Sequence, residues 1–380
     1  MSAKRIHVLA VLGTRPEAIK LAPVIRELAR HRDQFKVRVC ITAQHRHLLE
    51  PILRWFRIPV HYDLDVMRPN QELCALTALI LERFHAVLEA QRPDVVLVQG
   101  DTTTVMAASL AAFYHRVPVG HVEAGLRTLN RYSPFPEEIN RRLASQLSTL
   151  HFAPTEWSRQ NLLKEGIPPE RIFVTGNTVI DALLETRDRV VRRPPAIPQL
   201  RGFKPAGRKL IVVTAHRREN FGQGLTSICR GILRLASERQ DIEIVYPVHP
   251  NPNVRSIVQP MLGGKDRIHL IDPLDYPQFV WLLSQAYLAL SDSGGIQEEM
   301  PSLGRPALVM RENTERPEGV KAGVCRLVGT SSEVIYRTVT ELLDNPKAYA
   351  QFARRRNPFG DGKAAQRIVA ALKHLPTATS

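Results

Sequence analysis

The stretch His7-Val8-Leu9-Ala10-Val11-Leu12 runs directly into Gly13-Thr14-Arg15-Pro16-Glu17-Ala18-Ile19-Lys20. A short apolar run cut off by glycine and followed by a helix start is how a strand buried on both faces passes into a covering helix. Gly13 is read as permitting the tight turn, and Pro16 suits a first helical turn, where no N–H is needed. Helical spacing of apolar residues then continues to Arg30. The alternation repeats outward: strand-like runs at 37–41, 95–98 and 117–122 are separated by helical patterns at 71–90 and 102–115. This predicts a doubly wound α/β domain with a parallel sheet. An Arg- and Pro-rich stretch at 192–205 breaks the pattern, which resumes with runs at 210–213, 242–245, 268–271, 288–290 and 307–310. A second α/β domain follows, and the boundary is placed at Gly176, giving residues 1–175 and 176–361.

Composition fits this reading. The 380 residues suffice for two domains, at most three, at ~150 residues each. Hydrophobic residues at 44% and charged residues at 23% exclude a disordered or fibrous chain. No apolar run approaches the ~18 residues of a membrane span. Lys4 and Arg5 precede an apolar run that ends too early for a signal peptide, so a cytoplasmic location is expected. Cys40, Cys74, Cys229 and Cys325 form no Cys-x-x-Cys pair and read as reduced thiols. A net charge of +15 invites a nucleic-acid reading. The excess is spread over both halves, however, and the clusters at 187–193 and 354–356 lack interleaved aromatics. A solvated basic surface is expected, with no nucleic-acid and no membrane partner.

Open α/β sheets bind ligands at the carboxyl ends of strands, and with two domains the cleft between them is the expected site. Those strand ends carry the chemistry. Arg15 and Lys20 flank a helix start whose free amides favour an anion. Asp101 follows the run at 95–98 and could simply cap the next helix. Glu123 ends the following strand, and Glu137 and Glu138 open another helix. Carboxylates converging on one rim suit general acid/base work. In the second half, His216 and Arg217, then His249, then Ser293-Gly294-Gly295 follow successive strands, and Arg311 to Arg316 follows the next. The glycine-rich turn can hold phosphate on its amides, with Glu298 or Glu299 placed for ribose hydroxyls. A Gly-x-Gly-x-x-Gly, a P-loop and a His-Glu-x-x-His are all absent. His45 and His47 are too few for a metal site, and Asp63-Leu64-Asp65 is read as a loop that follows no strand end.

With these residues in place the chain resembles the non-hydrolysing UDP-N-acetylglucosamine 2-epimerases. The likeness runs from Arg5 to about Leu372 and rests on the segments at 13–20, 100–104, 121–127, 292–299 and 314–318, in the family's order. It implies two Rossmann-like domains in the glycosyltransferase B arrangement with an interdomain active-site cleft, the final helix, 362–375, completing the first domain. It also implies conversion of UDP-GlcNAc to UDP-ManNAc through 2-acetamidoglucal, without a redox cofactor or required metal, by a homodimer. Carried over by motif, Lys20, Asp101, Glu123, Glu137 and His216 are the implied catalytic residues. Arg15, Leu274, Phe279, Ser293, Gly294, Gly295, Glu299 and Arg316 join Lys20, Asp101, Glu123 and His216 in substrate binding. Leu274 would act through its backbone, and Phe279 would line the uracil pocket. Bacterial relatives use a second UDP-GlcNAc as an allosteric activator, and Gln44, Glu137, Arg217 and His249 match the residues tied to it, whereas His47 and Asn70 stand where some relatives have Gln and Arg. The nearest rivals are a 2-epimerase of a modified sugar, such as a UDP-2,3-diacetamido-uronate, and a B-type glycosyltransferase.

Overall fold

The computed structural model describes residues 5–42, 46–68, 71–203, 207–373 and 375. The chain divides into two compact units, one reaching Ala182 and resuming at Phe359, the other spanning Leu183–Pro358.

The first unit contains β1 (Ile6–Leu12), α1 (Arg15–Arg30), β2 (Phe35–Ile41), α2 (Arg46–Phe56), β3 (Tyr62–Asp63), α3 (Leu73–Gln91), β4 (Val95–Gln99) and α4 (Thr103–Tyr114). It continues through β5 (Val119–Val122), α5 (Glu137–Leu147), β6 (Leu150–Ala153), α6 (Glu156–Lys164) and β7 (Ile172–Val174), and α7 (Thr178–Arg192) leads out of it. Its parallel sheet has the order β3-β2-β1-β4-β5-β6-β7. Val8 pairs with Val37 on one side and Val95 on the other, and from Val8 to Leu12 β1 is at most 1% exposed. Burial on both faces explains why its sequence does not alternate.

The second unit contains β8 (Lys209–Thr214), α8 (Gln223–Glu238), β9 (Ile242–Pro247), α9 (Pro252–Leu262), β10 (Ile268–Ile271), α10 (Tyr276–Gln285) and β11 (Leu288–Ser291). After these come α11 (Gly294–Ser302), β12 (Ala307–Val309), α12 (Pro317–Lys321), β13 (Cys325–Leu327), α13 (Ser332–Asp344) and α14 (Pro346–Ala353). The order is β10-β9-β8-β11-β12-β13, again parallel. Alternate residues of β8 enter different cores: Ile211 and Val213 pack with α8 and α13 residues, Leu210 and Val212 with α10 and α11 residues. Helices therefore cover both faces of this sheet, and truncating such a residue to alanine costs roughly 2–5 kcal/mol.

The last helix, α15 (Ala364–Leu372), belongs to the first unit and packs on α1. Its first amides, from Ala364 and Ala365, donate to Asp181 on α7 at 3.2 and 2.9 Å. Burial raises that carboxyl to about 6.

The structure departs from the sequence reading in three places. β5 begins at Val119, because the Val117 N–H is spent closing α4 on Ala112 O at 2.9 Å. Asp63 closes the two-residue strand β3, so the Asp-Leu-Asp segment does follow a strand end. Gly13 is needed for closeness: a Cβ there would lie 2.3 Å from Thr104 Oγ1, so the β1–α1 turn touches the start of α4.

Candidate active site

Both sheets have a topological switch point, where strand order reverses and the helices on either side diverge. In the first unit it falls between β1 and β4, and in the second between β8 and β11. Arg15, Lys20 and Asp101 follow β1 and β4, and His216, Ser293, Gly294, Gly295 and Glu299 follow β8 and β11, whereas Glu123, Glu137, His249, Leu274 and Phe279 follow neighbouring strands.

In the first unit Thr14 caps α1 in a capping box with Glu17. Glu17 is 2% exposed and accepts from the Gly13 and Thr14 amides and from Thr102 Oγ1 at 2.5 Å, which ties the β1–α1 turn to the β4–α4 turn. Burial outweighs those donors and raises its carboxyl to about 7. Thr102, whose hydroxyl accepts from Val105 N at 3.3 Å, is the cap of α4. Asp101 is thereby left for other work: Oδ2 receives Arg141 from α5, while the side chain stays 28% exposed.

Glu123 sits beyond β5 with φ +64°, a conformation that costs a non-glycine residue energy and marks sites where placement matters. Its carboxylate is buried and takes Lys20 Nζ at 2.7 and 2.6 Å, Asn177 Nδ2 at 2.9 Å and Gln99 Nε2. A buried charge is tolerable only when paired and hydrogen-bonded this fully. Glu137 is the first residue of α5, where the helix dipole favours a carboxylate, and its Oε2 is buried without a hydrogen-bond partner among the described residues. The adjacent Glu138 is fully buried and accepts from the Thr128 and Leu129 amides at 3.0 and 3.3 Å, so it shapes the loop before α5. His121 donates from Nε2 to Gly100 O at 2.7 Å, and burial lowers it to about 4, keeping it neutral. Arg15 is half-buried at the start of α1.

In the second unit, fully buried Asp292 organises the turn after β8. Its Oδ2 accepts the His216 and Arg217 amides at 2.9 and 2.8 Å and Asn220 Nδ2 at 3.1 Å. The His216 ring stacks on His249, centroids 5.3 Å apart. Burial first, then the His249 and Arg217 charges, hold His216 below the usual range against the pull of Asp292. Ser293 precedes α11, whose first residues are Gly294 and Gly295. A Cβ on Gly294 would lie 2.5 Å from Arg316 Nη1, so this glycine seats the guanidinium. Arg316 donates to Glu298 and, at 2.7 Å, to Glu315, while Arg311 donates to Glu315 at 2.6 Å. Burial would raise Glu315, but Arg316, Arg311 and Arg217 hold it at about 2. Glu298 is thus committed to Arg316, and Glu299 is the neighbouring carboxylate near the glycine turn, its Oε2 4.0 Å from where a Gly295 Cβ would be. Leu274 and Phe279 lie beyond β10, where both pack into the core on the α10 face.

Relatives match this chain over nearly its whole length. The UDP-N-acetylglucosamine 2-epimerase family's sequence model matches residues 26–373. This chain belongs to the UDP-N-acetylglucosamine 2-epimerase family. It is 56% identical to the UDP-N-acetylglucosamine 2-epimerase of Yersinia pestis over 97% of this chain and 99% of that one. It is 54% identical to that of Salmonella typhimurium, over 97% and 98% respectively. Among solved structures, the UDP-GlcNAc 2-epimerase of Neisseria meningitidis bound to UDP-GlcNAc is 50% identical, with a TM-score of 0.90, over 97% of this chain and all of that one. The two Rossmann-like units expected from the segment order are therefore those of this epimerase family.

Several residues of this epimerase-family site escaped the sequence reading. Glu17 was findable, since Thr14-x-x-Glu17 is a capping-box pattern. Asp292, Arg311 and Glu315 lie inside the quoted segments but show their roles only through partners, as does Arg141 on α5. Gln99 and Asn177 have no local signal. Of the expected activator set, Gln44 lies outside the described residues, as does Asn70, and His47 is described only by its backbone in α2. Arg217 and His249 both lie beside His216. Among the described residues no helix is long and apolar enough to cross a membrane, and no three His, Cys, Asp or Glu side chains cluster as metal ligands.

Proposed function

We propose that this chain interconverts UDP-GlcNAc and UDP-ManNAc by elimination of UDP and its readdition. Support comes chiefly from the first unit's switch point, where Lys20, Asp101, Glu123 and Glu137 occupy the strand ends and helix start of one rim. The C2 hydrogen is not beside a carbonyl, so it becomes acidic only as the C1–O bond breaks and positive charge grows at C1. UDP leaves with the bonding pair, a carboxylate takes the C2 proton, and 2-acetamidoglucal remains. Delivery of a proton to the opposite face of C2 and attack of UDP on C1 complete the inversion.

Asp101 has one oxygen held by Arg141 and Glu137 has one without a partner, so these two suit proton exchange at C2. Glu123, locked by four donor contacts, suits holding Lys20 against the sugar. In the second unit, Ser293, Gly294 and Gly295 offer helix-terminal amides to the diphosphate, with Arg316 and the largely neutral His216 as further donors. Glu299 suits the ribose and Phe279 the uracil.

Proton NMR of UDP-GlcNAc with the enzyme in deuterated water tests this. UDP-ManNAc should appear with deuterium at C2 of both sugars. Epimerisation with the C2 proton retained, or no turnover of UDP-GlcNAc, contradicts the proposal. Turnover of a UDP-2,3-diacetamido-uronate alone would favour the modified-sugar reading.

A further inference from the structure

A concave region of about 400 Å³ lies against the amino-terminal half of β2, in the first unit. The carboxylates of the candidate site lie at the opposite ends of this sheet's strands. Arg5, Arg26, Arg32, Lys36, Arg38 and Arg57 line it, and among the described residues no Asp or Glu does. Among the described residues, Arg5, Arg32, Lys36, Arg38 and Arg57 make no ion pair. The Arg5 and Arg32 guanidiniums instead reach the Arg32 and Ala29 carbonyls at 3.4 and 3.2 Å. Elsewhere this chain pairs such groups closely, as in Arg127–Glu165, Arg239–Asp344 and Arg316–Glu298.

The opening exists because β3 pairs β2 only at Cys40 and Ile41. Alongside the uncovered part runs the segment after α2. His61 N donates to Val39 O at 2.9 Å, and Val39 N donates to His61 Nδ1 at 3.1 Å, which fixes that ring as a neutral wall. Ile25, Phe35, Val37 and Pro59 supply apolar surface. The field of the cations is felt by both neighbouring histidines. Burial first, then Lys36 and Arg38, lower His7 despite Asp94, and burial then Arg38 lower His61. Like charges on concave, low-dielectric walls repel one another and concentrate counter-ions more than the same charges on an open surface. The volume suits a small ligand, at the lower end of the usual 300–1,000 Å³ or so.

We propose that this cavity binds a small di- or triphosphate anion, separately from the sugar-nucleotide site. Part of the +15 charge then has a specific use. The anion would come either as free inorganic polyphosphate or as a nucleoside triphosphate, with the apolar wall taking the base in the second case.

Calorimetric titration of the full chain at physiological ionic strength, with UDP saturating, tests the proposal using sodium tripolyphosphate and ATP as probes. One site is expected per chain, weakened about tenfold or more by Arg38→Gln and by Arg57→Gln, since a charge-assisted hydrogen bond contributes about 1.5–3 kcal/mol. Epimerase activity of the variants should be unchanged, which also controls for folding. Tighter binding of ATP than of tripolyphosphate assigns the site to a nucleotide, and equal or weaker binding assigns it to the phosphates alone. Absence of binding with UDP present, or binding that both variants leave unchanged, overturns the proposal. Because the variants report on this cavity alone, the outcome is independent of whether UDP-GlcNAc is the substrate.

Discussion

The two units share the order of their first six strands but furnish their switch points with different side chains. At β1 and β4 and beyond β5 the first unit places Glu17, Asp101, Glu123 and Glu137, with Lys20 paired to Glu123 and Arg141 to Asp101. Between β8 and β11 the second sets Arg217, Arg311 and Arg316 among the carboxylates Asp292, Glu298, Glu299 and Glu315, beside the glycine-rich helix start of α11. Topology supplies the place, and side chains decide what is done there. The first collection suits moving protons and the second suits holding a diphosphate.

The division predicts separable losses. Asp101→Asn and Glu137→Gln should each lower kcat by about 100- to 10,000-fold, the usual worth of a general acid or base, while UDP affinity stays within about twofold. Steady-state kinetics with calorimetric UDP binding would show it, and an equal loss of both quantities would erase the contrast between the units. Lys20→Met takes the ammonium from the buried Glu123 charge, so the first unit should lose roughly 3–5 kcal/mol in denaturant unfolding. A destabilisation under 1 kcal/mol or so would mean that the pair is not a buried anchor. Arg316→Gln should act on the other side, weakening UDP about tenfold or more with a smaller effect on turnover of bound substrate.

A further expected effect is a pH dependence centred on Glu17. Its folded-state pKa of about 7 lies above the ordinary 4.5, so the folded chain holds a proton that the unfolded chain has released. Stability should therefore fall as pH rises from about 4.5 to about 7 and level off above that. Glu17→Gln should flatten that segment of the curve, and melting temperatures across the range would reveal it. An unchanged slope would assign the dependence elsewhere.

Much of the fold could be read from sequence because parallel strands buried on both faces give unbroken apolar runs, as in β1, β4 and β8. The short edge strands escaped: β3 has two residues, and β13, Cys325-Arg326-Leu327, carries a charge in its middle. The candidate residues were legible where a strand end coincided with a helix start, as at Asp101 and Ser293. Positions defined by long-range partners were not. Asn177 reaches Glu123 from a helix start 54 residues later in the chain, and Arg141 captures Asp101 from α5. No periodicity records such a meeting. The cap of α4 shows the limit in the other direction, since Asp101 and Thr102 are equally good candidates by residue type and only geometry chooses Thr102.

The central claim is that C2 proton transfer belongs to the first unit's carboxylates. Its most direct test is the rate of deuterium entry at C2 of UDP-GlcNAc in deuterated water for the native chain and for Asp101→Asn, both saturated with substrate. Exchange by the native chain and a loss of at least about 100-fold in the variant are predicted. Exchange at the native rate in Asp101→Asn would contradict the account.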